Sequence, residues 1–120
     1  METTKTILIA DRNPHIRDFL RRELAGCGYR VHSVDNATDL LRLIYSDSGI
    51  DLLVLDPDIP CLDAPELANK IIDRIPQLPV VLHSVPGSSA ISIFNASHVV
   101  FIEKNGGSVE LLKRTIQQKF

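Results

Sequence analysis

Tryptophan is absent from the chain, and aromatic residues make up only 5% of it. Cysteine is scarce too: Cys27 and Cys61 stand far apart, without metal-ligand spacing or the density of a disulfide-stapled fold. That fits a reducing compartment, with Cys27 expected to pack at a helix end. No apolar run approaches the roughly 20 residues needed to cross a bilayer. The start, Met1-Glu2-Thr3-Thr4-Lys5, lacks the basic and apolar stretches of a secretory leader. A cytoplasmic location is the expectation.

An excess of either charge is missing as well. Thirteen Lys and Arg against fifteen Asp and Glu give a net charge of -2, and the longest basic feature, Arg21-Arg22, is flanked by Asp18 and Glu23. A nucleic-acid surface needs a basic stripe, so this reads as a solvated helix face. His15, His32, His83 and His98 show no zinc-ligand spacing and read as surface or strand-end residues, with His15 near the start of a helix. No glycine-rich loop follows the first apolar run, which argues against nucleotide or flavin binding.

What is present is the composition of a globular domain: 120 residues, 44% hydrophobic and 23% charged, enough for one core. A single domain over residues 1–120 is expected, with no linker, repeat or output domain in this sequence. Five short apolar runs read as strands: Thr6–Ala10, Arg30–Val34, Leu52–Leu55, Pro79–His83 and His98–Ile102. The first and third are continuously apolar, as central parallel strands are, and Arg30–Val34 alternates as an edge strand does.

Helical spacing joins Ile16, Phe19, Leu20 and Leu24; then Ala37, Leu40, Leu41 and Ile44; then Leu67, Ile71 and Ile75; and last Val109, Leu112 and Ile116. Asn13 before Pro14, the Asp63/Glu66 spacing and Ser108 supply start signals, while Gly26, Gly28 and Gly49 mark exits. Pro86–Ala96 is the weakest helical pattern, expected to form a short fourth helix. The alternation predicts an α/β, doubly wound (βα)5 three-layer sandwich.

In such sheets reacting groups collect beyond the carboxyl ends of the strands. Those ends carry Asp11-Arg12, Asp56-Pro57-Asp58, Ser84 and Lys104, so acids, a hydroxyl and a cation surround one crevice.

The run from Leu52 through Asp56, Pro60 and Ala64 resembles the third-strand block of response-regulator receiver domains of two-component signalling, and the likeness extends from about Lys5 to Phe120. The resemblance implies a flavodoxin-like parallel sheet of order 2-1-3-4-5. It implies Asp56 as phosphoacceptor, Ser84 as the hydroxyl that meets the phosphoryl group, Lys104 as its paired cation and Phe101 as the switch aromatic. It also implies Mg²⁺ held by Asp11, Asp56 and the backbone carbonyl of Asp58. Implied partners are a sensor histidine kinase or phosphotransfer protein, and a downstream protein or output domain on the face of the fourth helical segment, fifth strand and last helix. Self-association stays open.

The chain departs from the family pattern at several places. Arg12 replaces the second of two adjacent acids, the one that contacts the metal directly. A guanidinium ~4 Å from a carboxylate is worth about 4 kcal/mol at an effective dielectric near 20, before desolvation, and it repels Mg²⁺. Arg12 either turns into the crevice, weakening metal binding and standing in for the cation, or points to solvent while Asp58 restores the acid count. Val85 stands where a small residue is usual, and Ser97-His98 where Gly-Ala is common. Asn105 replaces the proline after the lysine, which makes the family's cis peptide there costly.

Signal relay through phospho-Asp56 is therefore the expected function, with no enzymatic turnover beyond the domain's own phosphorylation and dephosphorylation. The first alternative is a degenerate receiver acting as a phosphorylation-independent interaction module. A remote one rests on Asp56-Pro57-Asp58, which resembles the nucleophile motif of haloacid-dehalogenase-like phosphatases, although that motif usually opens its domain and is followed by further acids.

Overall fold

The computed structural model describes residues 4–46, 49–60, 63–85 and 99–120. In chain order these form β1 (Thr6–Ala10), α1 (Pro14–Gly26), β2 (Arg30–Val34), α2 (Ala37–Ile44), β3 (Leu52–Leu55), α3 (Ala64–Arg74), β4 (Val80–Ser84), β5 (Val99–Glu103) and α4 (Ser108–Lys119). The expected helix over Pro86–Ala96, with Cys61, Ser97 and His98, lies outside the described residues.

All five strands pair in parallel in the order β2-β1-β3-β4-β5, as the resemblance implied. The continuously apolar β1 and β3 sit in the interior of the sheet, and β2 forms an edge. Alternate residues divide the core in two. Leu8, Leu53, Leu55 and Leu82 pack with Leu40 and Ile44 of α2 and with Leu67 and Ile71 of α3. Ile7, Ile9, Leu52, Val54 and Val81 pack with Leu20 and Leu24 of α1 and with Leu112 and Ile116 of α4. The result is three layers, helix pairs on both faces of the sheet, which a period-two strand between two apolar faces requires.

The helix starts follow local chemistry. Asn13 caps α1, its side-chain oxygen accepting from the backbone N–H groups of His15 and Ile16, with Pro14 at the first turn. Asn36 caps α2 and Asp63 caps α3 through the Asp39 and Glu66 N–H groups. Gly28, at φ +96°, turns the chain from α1 into β2, a conformation that L side chains rarely adopt.

Several sequence expectations shift. β4 and β5 each run one residue later than the apolar runs suggested, because the pairing extends to Ser84↔Glu103. Phe19, placed in the apolar stripe of α1, is an exposed residue. Cys27 caps the end of α1 but is exposed rather than packed. Ser108 is the first helical residue of α4, with Gly107 at the cap position; its hydroxyl is drawn inward instead. No cis peptide bond occurs among the described residues.

Candidate functional site

Parallel register brings the carboxyl ends of the strands together. The Asp56 N–H donates to the Ala10 carbonyl at 2.8 Å, which sets Asp56 beside Asp11, and the Lys104 N–H donates to the Ser84 carbonyl at 2.8 Å. Asp11, Asp56 and Ser84 are all buried, at 2%, 1% and 0% exposure, so the crevice is polar at its floor and shielded from water. Buried carboxylates are sustained only by partners.

Those partners are well defined. Asp11 Oδ1 accepts from the Asn13 N–H at 2.8 Å, and Asp56 Oδ1 accepts from the Asp58 N–H at 3.0 Å. The Lys104 ammonium lies 3.1 Å from Asp11 Oδ2 and 3.3 Å from Asp56 Oδ2, bridging the two acids. Arg12 Nε lies 3.4 Å from the same Asp56 Oδ2. Among the described residues, Asp56 Oδ2 accepts no hydrogen bond, and these two cations alone meet its charge. Arg12 thus turns into the crevice although its side chain is 52% exposed, and its attraction falls well below the full Coulomb value because water screens that half.

Ser84 ends β4 with its hydroxyl directed at the Val85 carbonyl, at 3.4 Å. Val85 is exposed, and Phe101 on β5 is 44% exposed, so its ring faces outward. Asp58 is partly buried at the turn after β3. The structure therefore brings Asp11, Arg12, Asp56 and Lys104 into contact and sets Ser84 at the adjoining strand end.

The sequence predicts a surface or strand-end position for His83. It is 3% exposed, and its Nε2 lies 2.9 Å from Ser108 Oγ. Ser108 has one hydroxyl hydrogen and donates it to the Asn105 carbonyl at 2.9 Å, so Nε2–H donates to Ser108 and Nδ1 is the bare nitrogen, without a partner among the described residues. Burial, with the Lys104 ammonium acting the same way and Asp11 and Asp56 opposing, pushes the imidazole down to about 4. Strand alternation carried the missed signal: Val81 faces α1 and α4, so His83 two residues on does too. A cavity of about 530 Å³ lies over it, bounded by Ile16 and Phe19 of α1, by Val109 of α4 and by His15, which is exposed on the surface of α1.

Oxygen donors such as these carboxylates suit Mg²⁺ chemically. As arranged, however, every oxygen of Asp11 and Asp56 faces a nitrogen, and two cations balance two carboxylates. Among the described residues no three acid, histidine or cysteine side chains converge on one point. The arrangement does not fit a resident divalent ion unless Arg12 or Lys104 withdraws.

The family profile described as response regulator receiver domain matches residues 7–116. The transcriptional regulator NtrC of Rhizobium meliloti is 36% identical over 91 residues, covering 76% of this chain and 19% of that protein. The sensor protein EvgS of Escherichia coli K12 is 38% identical over 77 residues, 62% of this chain and 6% of that protein. The chain thus spans a fifth or less of these two relatives. Among solved structures, the response regulator TrrA of Thermotoga maritima, in complex with Mg²⁺–BeF, superposes with a TM-score of 0.79 at 22% identity, covering 98% of this chain and all of that one. A receiver protein of Sinorhizobium medicae gives 0.81 at 21% identity, covering 97% and 94%. At that identity the structures speak for the fold.

Proposed function

Because this chain belongs to the response-regulator receiver domain family of two-component signalling, we propose that it relays a phosphoryl signal through Asp56. The observation that carries the reading is Asp56 Oδ2: a buried carboxylate oxygen without a hydrogen-bond donor, at the end of an interior strand, between two cations. Such an oxygen is a nucleophile for phosphorus, and the cations around it meet the charge of the transferred group. Lys104 supplies one positive charge and Ser84 a hydroxyl at the neighbouring strand end.

Receiver domains work with histidine kinases, so the donor is a sensor histidine kinase or phosphotransfer protein. The readout is a shift in the loops after β4 and β5, reported through Ser84 and the exposed Phe101 to a downstream protein or output domain, or to a second copy of the chain. The family assignment sets the phosphatase alternative aside. The whole of residues 1–120 is taken as one receiver domain acting in the cytoplasm. Asp11, Asp56 and the Asp58 carbonyl would hold Mg²⁺ only if Arg12 withdrew from Asp56.

That same contact favours a second reading, a receiver that binds partners without being phosphorylated. One experiment separates the two: the protein is incubated with phosphoramidate or acetyl phosphate, with and without Mg²⁺, and weighed intact beside Asp56→Asn. Gain of one phosphoryl group in the wild type alone supports relay. No gain under any condition supports the phosphorylation-independent module.

A further inference from the structure

We propose that Arg12 is a built-in cation of the phosphoryl pocket and that Asp56 is phosphorylated without a divalent metal ion. The inference rests on the phosphoacceptor reading above and specifies what neutralises the transferred group.

Three features of the pocket converge on it. Arg12 Nε and the Lys104 ammonium lie 3.4 and 3.3 Å from one oxygen, Asp56 Oδ2, the carboxylate oxygen of this acid that no described backbone N–H group claims. The other oxygen of Asp56 and Oδ1 of Asp11 are already held by backbone N–H groups, so both carboxylates are fixed by the chain itself. Arg12 keeps half of its side chain in solvent, so it sits at the mouth of the crevice, on the side from which a donor must arrive. A guanidinium carries five N–H donors in a planar fork suited to phosphate oxygens, and contact through Nε leaves its terminal amino groups for a second oxygen.

The charges follow. At rest the carboxylates of Asp11 and Asp56 are balanced by Arg12 and Lys104. An acyl phosphate on Asp56 carries close to two negative charges in place of one. Among these four side chains the balance is then short by about one charge with Arg12 present and by about two without it. Mg²⁺ would approach an oxygen already faced by two cations, so it competes with Arg12 instead of assisting it.

The step balances without a metal. An Asp56 carboxylate oxygen attacks the phosphorus of phosphoramidate, the P–N bond breaks, and ammonia leaves with the proton already on its nitrogen. Arg12 and Lys104 hold the oxygens of the transferred group, and no electrons are exchanged.

The test compares wild type, Arg12→Asp and Arg12→Lys with phosphoramidate in EDTA and in Mg²⁺, following intact mass over time. The expected result is equal rates for the wild type in both conditions, and a loss of roughly tenfold or more for Arg12→Asp in EDTA, reversed by Mg²⁺. Arg12→Lys keeps the metal-independent reaction in large part. A Mg²⁺ titration without any phosphate donor, read from backbone amide shifts at Asp11 and Asp56, should move Arg12→Asp and leave the wild type unchanged. Phosphorylation of the wild type only when Mg²⁺ is present, or saturable Mg²⁺ shifts in the wild type equal to those of Arg12→Asp, would overturn the role of Arg12 and leave Asp56 as acceptor. No phosphorylation in either condition would overturn both.

Discussion

The His83 imidazole donates to the Ser108 hydroxyl across 2.9 Å and so ties the end of β4 to the first turn of α4, immediately behind the acid crevice. The bond is buried, and Ser108 passes it on to the Asn105 carbonyl in the loop that carries Lys104. Ser108→Ala removes both contacts and leaves a buried ring N–H without an acceptor. The expected cost is about 1–3 kcal/mol. Urea unfolding should show a lower midpoint with an unchanged slope, and Ser108→Thr should recover most of the loss.

The same histidine makes stability depend on pH. Its imidazole is held down to about 4, against 6.5 in the unfolded chain, by burial first and by Lys104 second. Between those values the unfolded chain binds a proton that the folded one refuses, so stability falls as pH drops through this window and levels off below it. The full loss is about 3 kcal/mol. Unfolding measured from pH 7 to pH 4 should show this slope in the wild type and a much smaller one in His83→Leu, compared as slopes rather than as absolute stabilities.

Lys104 and Arg12 touch the same oxygen but differ in burial, 12% against 52% side-chain exposure, and the energetic consequence differs accordingly. Lys104→Met leaves the buried Asp11 without the cation it contacts and Asp56 with the half-exposed Arg12, and should cost about 3–5 kcal/mol. Arg12→Ala should cost about 0–1 kcal/mol, because a half-exposed ion pair adds little to folding. Thermal unfolding of the two variants side by side checks the asymmetry.

Asn13 both starts α1 and fixes Asp11, since its side chain accepts from His15 and Ile16 while its own N–H donates to Asp11 Oδ1. Asn13→Ala removes the cap and keeps the backbone donor. A loss of about 0.5–2 kcal/mol is expected, read from the melting temperature, with Asn13→Asp close to wild type.

Much of this fold was legible in the residues. Continuous apolar runs identified β1 and β3 as interior strands because both faces of each are covered, and Asn13-Pro14 marked the start of α1 because that pair can satisfy orphan N–H groups. The strand-end rule brought out Asp11, Asp56, Ser84 and Lys104 without any contact being visible. Side-chain direction was not legible. Ser108 has the chemistry of a cap, yet its hydroxyl serves His83 and Asn105, a choice made by a strand remote in sequence. Arg12 was equally compatible with crevice and solvent, because a long flexible side chain is placed by the acids it finds after folding. His83 reads as a surface or strand-end residue because its polarity outweighs its place in the strand alternation.

The sheet that sorts Leu8 from Ile9 and Leu53 from Val54 also insulates one half of the interior from the other. Residues adjacent in the chain contribute to different cores, while Leu20 and Leu112, distant in the chain, share one. Among the described residues, damage on the α1/α4 side and damage on the α2/α3 side therefore fall in separate clusters. Paired truncations such as Leu20→Ala with Leu67→Ala should add to within about 0.5 kcal/mol, whereas Leu20→Ala with Leu112→Ala should not. Either face can therefore be repacked without a compensating change on the other, because the wall of strands that carries the acids at its rim holds the two sets of side chains apart.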